Sequence, residues 1–422
     1  MFGALRSRDF RFFWTGAFVS NIGSWIQSIA LSWLVLQLTN SPFALGVVSF
    51  SGTAPILALS LFGGVFVDRA DRRRLLIITQ SLLLILAVSL AVFTFARLAQ
   101  LGHIVVISVL TGIVLAANGP AWQAFIVDLV EPRDLPTAIA LNSTQFNLSR
   151  VVGPSIAGVL LAVIGAAGCF FINGLSFLAV VGALFVIRPR PSTPKRPTDG
   201  MWKPLKDGLG YTLRHPILSH LIILTSVMTI FGFPYAILMP VMAQNVLGLG
   251  ASGYGAMMAA TGLGAILGSL AMARWGNYFP RGRLLIIAES GFAASVIGFS
   301  LSRSFLIALV LLACLGFFMI AYMTNANTTI QLIVPNHLRG RVMSIWTLVS
   351  FGMTPIGSLL AGAIAQNWGA PLALGLGGAV CGVAALAMLG LSPTLRLLPA
   401  GTNLEVAPPP PRQRVGIEVE GS

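Results

Sequence analysis

Charge is what this 422-residue chain has least of: 9% of its residues are charged and 56% are hydrophobic, where soluble domains carry about 25% and 45–50%. A water-soluble globular fold is excluded by that balance, and most of the surface must be solvated by lipid. Acids are scarcer still, 12 against 26 basic residues. Cysteine is nearly absent: Cys169, Cys314 and Cys381 each sit inside an apolar run, with neither metal spacing nor a disulfide framework, and read as small packed hydrophobes. No P-loop is present, which excludes direct drive by ATP, and no nucleophile or metal constellation supports an enzyme. The reading calls for no cofactor. Gly375-Leu376-Gly377-Gly378 lies within an apolar run and is packing rather than a dinucleotide loop.

What is present is a series of apolar runs of membrane length. A run of about 20 residues crosses a hydrocarbon core of about 30 Å as a helix, and an open strand there would leave backbone groups unpaired. Twelve runs can be placed, at 13–38, 44–67, 75–95, 104–128, 137–164, 169–187, 217–246, 254–274, 284–301, 305–334, 342–366 and 372–391. The fold class is therefore all-α integral membrane. Connections after odd-numbered runs are short and nearly uncharged, whereas those after even-numbered runs hold the cations. With both termini on the side of the even loops, only Arg97 and Arg303 fall opposite, and Arg150 falls inside the membrane. The net charge of +14 is thus a topological signal and calls for no nucleic-acid partner. It places both termini in the cytoplasm of a multi-pass protein, in a bacterial inner membrane.

The chain divides into a first six-helix unit (1–187), a linker (188–215), a second six-helix unit (216–391) and a tail (392–422). In the linker, Trp202, Leu205, Leu209 and Leu213 share one helical face with Lys203 and Lys206 off it. That pattern suits a helix lying at the membrane surface; a solvated linker is the alternative. The proline-rich tail cannot bury a core and is expected to be disordered. The halves also echo each other. Asn118-Gly119-Pro120 leads through Asp128 to a span with Gly153-Pro154, as Asn325-Ala326-Asn327 leads through Leu338-Arg339 to a span with Pro355. Paired repeats of this kind are a transporter architecture with the substrate site between them.

One charged cluster dominates. Gly64-Val65-Phe66-Val67-Asp68-Arg69-Ala70-Asp71-Arg72-Arg73-Arg74 separates two uncharged runs. With Asn118-Gly119-Pro120-Ala121-Trp122-Gln123 and Leu338-Arg339-Gly340-Arg341, it resembles the loop between the second and third helices, and other motifs, of the major facilitator superfamily. Asp71 stands where that family usually has glycine. Within the superfamily the chain is similar to the branch of enterobactin exporters and bacterial drug-efflux proteins. The resemblance implies two six-helix bundles and alternating access. It implies a small amphipathic substrate, a siderophore or drug, exported in exchange for protons by a monomer in the lipid bilayer. A nutrient importer of the same fold is the alternative, and a channel or lipid-handling protein a more distant one.

The resemblance also assigns roles. Gly64, Asp68, Arg69, Arg72, Asp128, Arg339 and Arg341 would form a cytoplasmic gate. Asp68 would cap the start of the eleventh helix, and Arg72 or Arg341 would pair with Asp128; an ordinary excess of inner-face cations is the bland reading. The first, fourth, seventh and tenth helices would line the cavity. Helical spacing then selects Asn21, Trp25 and Ser28, with Ser32, on the first, Asn118 and Trp122 on the fourth, Tyr235 on the seventh, and Tyr322 and Asn325 on the tenth. Each could equally be interhelical glue. Arg150 lies near mid-depth, where an exposed arginine costs about 2.5–3.5 kcal/mol. It could hold an anionic or phenolic substrate, respond to a partner's proton, or bind backbone carbonyls near Gly153-Pro154. Glu289, the one carboxylate well inside a span, could carry the coupling proton or reach the inner interface a turn or two away. No metal site is expected.

Overall fold

With no water available to the backbone, each apolar run satisfies its own N–H and C=O groups as a helix, and the short polar breaks become turns. The computed structural model describes residues 3–187, 202–391 and 398–401; side chains at 60–69, 147, 151, 202–207, 336–337 and 389–391 lie outside the described set. The linker residues 188–201 and nearly all of the tail therefore lie outside it as well. No strand occurs among the described residues.

The first bundle comprises α1 (Arg8–Thr39), α2 (Pro42–Arg69), α3 (Arg72–Phe95), α4 (Leu101–Leu129) and α5 (Leu135–Val186). At about 1.5 Å per residue, the 52 residues of α5 are too long for one crossing. The helix breaks at Gly165, whose φ of 69° is left-handed and costs glycine nothing. Among the described residues, eleven helices of membrane length and composition thus make twelve passes, because α5 contributes two. A 13-residue helix, α6 (Trp202–Arg214), precedes the second bundle. There follow α7 (Pro216–Val227), a π turn (Met228–Gly232), α8 (Tyr235–Val241), a second π turn (Met242–Val246), α9 (Ala251–Trp275), α10 (Arg281–Leu301), α11 (Phe305–Ile333), α12 (Asn336–Gly352), α13 (Thr354–Trp368) and α14 (Ala370–Leu391). The seventh pass, from α7 to the second π turn, is irregular where Pro234 and Pro240 withhold backbone donors.

Helix ends are fixed locally. Ser7 Oγ accepts the Phe10 N–H and donates to the Leu129 carbonyl at 2.9 Å, which ties the start of α1 to the end of α4. Asp71 caps α3 by accepting the Arg74 N–H at 3.1 Å, so the residue found in place of the usual glycine serves as a helix N-cap. Asn40, at φ 44°, closes α1.

In the first bundle α1 packs on α5, α2 on α4, and α3 on both α4 and α5. In the second, α9 packs on α11, and α10 on α11 and α14. The bundles meet along α2–α13 and α5–α9. The architecture is the two-bundle arrangement expected of a major facilitator fold. Helix α6 lies against α12 and α7, with Gly208 brought to within van der Waals contact of the Arg341 backbone.

Apolar surface does not drive helices together in lipid, so small residues that let backbones approach do the work. At the α9–α11 crossing, Gly264 faces the Ala313 carbonyl and Gly316 faces the Thr261 carbonyl, with no room for a Cβ at either. Gly182 has nothing within 4 Å of the corresponding position. Gly264→Leu is expected to cost at least the ~1–3 kcal/mol of an overpacked core, seen as a lower melting temperature in detergent and less protein in the membrane. Gly182→Leu should leave both unchanged.

Candidate functional site

A cavity of about 740 Å³ opens within the first bundle and, among the described residues, meets the second at Ala236, Ile237, Tyr254 and Met258. Among the described residues its wall carries amides, hydroxyls and the indoles of Trp25 and Trp122, and no Asp, Glu, Lys, Arg or His. Three sets of hydrogen bonds position the amides. Asn21 Nδ2 donates to Gln145 Oε1 at 3.3 Å, and Gln145 Nε2 and Trp122 Nε1 both donate to Asn142 Oδ1 at 3.4 Å. Asn173 Nδ2 donates to Gln27 Oε1 at 2.7 Å. Thr79 Oγ1 and Gln80 Nε2 donate to Asn118 Oδ1 at 2.9 and 3.0 Å, which leaves the Asn118 amide nitrogen to turn towards the cavity it lines. Such a wall can hydrogen-bond a ligand and stack on its rings, but cannot by itself neutralise a charge.

Of the residues singled out in the sequence as cavity candidates, Asn21, Trp25, Ser28, Ser32, Asn118 and Trp122 line this cavity. Arg150, Tyr235, Tyr322 and Asn325 do not. Tyr322 is buried in the second bundle, its hydroxyl 3.0 Å from Thr225 Oγ1. Asn325 is buried against α10: its Oδ1 accepts from Arg281 Nη1 at 3.2 Å and its Nδ2 donates to the Arg281 carbonyl at 2.9 Å. Arg150 stands where the bundles meet. Its Nη2 lies 3.7 Å from Met319 Sδ, and the Tyr235 hydroxyl approaches the same sulfur at 3.8 Å. Among the described residues no carboxylate is within salt-bridge distance of Arg150.

At the arginine-rich end, Arg72 Nη1 grips both oxygens of Asp128, at 2.9 and 3.1 Å, and reaches the Ala124 carbonyl at 3.4 Å. Arg73 donates to the Leu184 and Phe185 carbonyls at 2.7 and 3.1 Å, where the end of α5 leaves acceptors free and carries partial negative charge. Both contacts hold the first bundle to itself. Arg339 is exposed, and Arg341 lies under α6. The side chains of Gly64, Asp68 and Arg69 fall outside the described residues, and with them the central contact of the expected gate.

The opposite end is where the bundles are visibly joined. Ser41 Oγ donates to Gln366 Oε1 at 2.7 Å, Ser49 and Ser358 share a hydroxyl bond of 3.0 Å, and Asn245 Nδ2 reaches Asn40 Oδ1 at 3.4 Å. Gly158 of α5 and Gly255 of α9 touch backbone to backbone. Glu289 departs from one of the two sequence expectations. It does not reach an interface but is fully buried in the second bundle, with neither carboxyl oxygen hydrogen-bonded, because the helix bearing it is covered by α11 and α14. Gln27, Thr79, Gln80, Asn173 and Gln366 were not picked out from the sequence. Their signal was simply an amide or hydroxyl group inside or beside a span, where it requires a partner.

A family model described as "Transmembrane secretion effector" matches residues 1–419. The chain is 28% identical over 361 residues to the Staphyloferrin A transporter of Staphylococcus aureus (strain NCTC 8325 / PS 47), covering 85% of this chain and 90% of that protein. It is 28% identical over 364 residues to the multidrug efflux pump Tap of Mycolicibacterium fortuitum, covering 84% and 88%. In fold it is similar, with a TM-score of 0.71 at 15% identity, to a bacterial homolog of the human lysosomal transporter Spinster in an inward-facing, unoccupied conformation, over 93% of this chain and 97% of that one.

Hydrogen bonds to charged groups contribute about 1.5–3 kcal/mol, so Arg72→Ala and Asp128→Ala are each expected to lower the melting temperature of the purified protein. The double variant should lose clearly less than the sum of the two. Additive losses would show that the pair does not act as one unit.

Proposed function

Because the chain belongs to the transmembrane secretion effector family, a branch of the major facilitator superfamily of transporters, we propose that it is a secondary transporter exporting a small amphipathic molecule, a siderophore or a drug. Inward proton flow would drive it. The observation that carries this reading is the cavity: about 740 Å³, large enough for such a molecule, and walled by amides, hydroxyls and two indoles. Relatives named for staphyloferrin A transport and multidrug efflux support the same class of cargo.

In this reading the bundles at 1–187 and 216–391 rock about the central region. The arginine-rich end is cytoplasmic, by the bias of cations towards the inner face. The bonds of Ser41, Ser49 and Asn40 across the bundles then seal the outer side, so cargo enters the cavity from within. Asn21, Trp25, Ser28, Asn118 and Trp122 hold the neutral, ring-bearing part of the cargo. Arg150, at the bundle junction with Tyr235, engages an anionic or phenolic group as cargo passes. Asp68, Arg69, Arg339 and Arg341 close the inner side in the opposite state.

Expression in an efflux-deleted bacterial host, with growth scored against a panel of dyes, antibiotics and siderophores, tests the reading. Protection against at least one compound is expected, together with accumulation of that compound in everted vesicles when a proton gradient is imposed. Uptake into right-side-out vesicles instead would make the protein an importer. With a protective compound identified, Trp122→Ala and Arg150→Ala are expected to abolish most protection, on the order of tenfold or more for the loss of one substrate-holding group worth 1.4 kcal/mol, at unchanged protein level. Full protection by Arg150→Ala at equal level would remove that residue from the site.

A further inference from the structure

The second bundle contains a group that the cavity does not use. Glu289 is fully buried in the middle of α10, and both of its oxygens lack a hydrogen-bond partner. An ionised carboxylate in such a place costs far more than a bundle can spare, so the arrangement suits the neutral, protonated acid. Among the described residues, the helices packed on α10 bring buried, uncharged side chains to this part of the bundle, Tyr322 from α11 and Cys381 from α14. The π turn Met228–Gly232 packs on α10 and contributes Thr229, whose hydroxyl is also buried without a partner. One turn along α10, Phe292 stacks edge-on with Tyr235 of α8, at a centroid distance of 6.4 Å. The one base on α10 near its start that is buried, Arg281, is eight residues away and bonded to Asn277, Asn325 and the Gly401 carbonyl. Among the described residues no cation pairs with Glu289.

We propose that Glu289 is the proton-binding group of the transport cycle, and that it acts from within the second bundle rather than from the cargo cavity. The physical route follows from its neighbours. Gly232, in the π turn, lies directly against Phe292 and Cys381, and the Cys381 thiol reaches the Val227 carbonyl at 3.9 Å. A π turn is a point where a helix changes its hydrogen-bond register at low cost. When the Glu289 O–H bond breaks, one proton passes to water and one carboxylate remains. The bundle must then admit water or turn a donor such as Thr229 or Tyr322 towards it. That movement is carried along the seventh pass to Tyr235, which shares Met319 with Arg150 at the bundle junction. The state with the far end pinned therefore favours the neutral acid, and the state with that end open favours the carboxylate. Low pH stabilises the first and high pH the second.

The inference rests on the transport cycle proposed above, and its test does not need a known cargo. Full-length protein in liposomes, with Cys314→Ser removing the exposed native thiol, carries spin labels at Leu38→Cys and Trp368→Cys, one from each bundle at the pinned end. In the otherwise native protein the distance between labels is expected to lengthen as pH rises. Glu289→Gln should hold the short distance at every pH, and Glu289→Asp, which keeps an ionisable group, should restore a response. A Glu289→Gln protein that keeps the native pH response, or a native protein with none, would overturn the proposal. Ethidium efflux from the same liposomes is followed in parallel. If no variant moves ethidium while the Glu289-dependent response is present, export of that dye fails and the proton site stands.

Discussion

In hydrocarbon a polar side chain has no water to return to, and that constraint shapes this molecule more than any single attraction. Helix formation satisfies the backbone; the side-chain amides must find each other. They do so across helices: Asn21 with Gln145, Gln27 with Asn173, Gln80 with Asn118. Each bond is worth only about 0.6 kcal/mol on average, because a loosely packed bundle would also find partners. Their larger effect is on placement. The bonded amides bring polar groups to the cavity wall on α1, α3, α4 and α5, while glycines let backbones touch at crossings such as Gly264–Ala313 and Gly158–Gly255.

The same rule explains what could be read in the sequence. Twelve apolar runs gave the passes, since lipid leaves a 20-residue apolar segment no other use. The fold at Gly165 was visible as a short break between runs, although the structure carries it inside one continuous helix. Of the two pairings the sequence leaves open to Asp128, geometry decides for Arg72, because both residues belong to the first bundle. Periodicity found the polar face of each helix but not the neighbour across from it. Tyr322 and Asn325 share a polar face, yet Thr225 and Arg281 lie opposite them, so they are drawn into the second bundle. Glu289 was the hardest case. Its depth along α10 was legible, but whether a charged or neutral acid sat there depended on α11 and α14 covering it, which no local pattern records.

The two ends of the molecule are built from different chemistry. Arginines crowd one end, where Arg72 and Arg73 hold α3 to α4 and α5 within a single bundle. At the other end neutral hydrogen bonds and glycine contacts cross between bundles. At about 0.6 kcal/mol each, the three hydroxyl and amide bonds of Ser41, Ser49 and Asn40 contribute on the order of 2 kcal/mol. That is enough to favour one arrangement by roughly twenty- to thirtyfold and far short of the roughly 5.5 kcal/mol that separates 1:99 from 99:1. A seal of this strength opens without a large input. An ionic seal buried in the same place would not, since breaking it would strand a charge.

A weak seal means that whatever binds unequally to the two arrangements sets the balance between them. Two groups are placed to do so, one from each bundle. Arg150 brings a positive charge to the junction with no carboxylate within salt-bridge distance among the described residues, and Glu289 is buried with neither oxygen hydrogen-bonded. Both lie near the seventh pass: Arg150 shares the Met319 sulfur with Tyr235, and Glu289 stands one turn from Phe292, whose ring meets Tyr235 edge-on. Linkage requires the effect to run both ways: a ligand that favours one arrangement changes the affinity for the proton by the same factor as the proton changes the affinity for the ligand. Cargo and proton need not touch, or occupy one cavity, for the flow of one to drive the other. It is sufficient that the irregular helix between them has two positions and that each ligand prefers a different one.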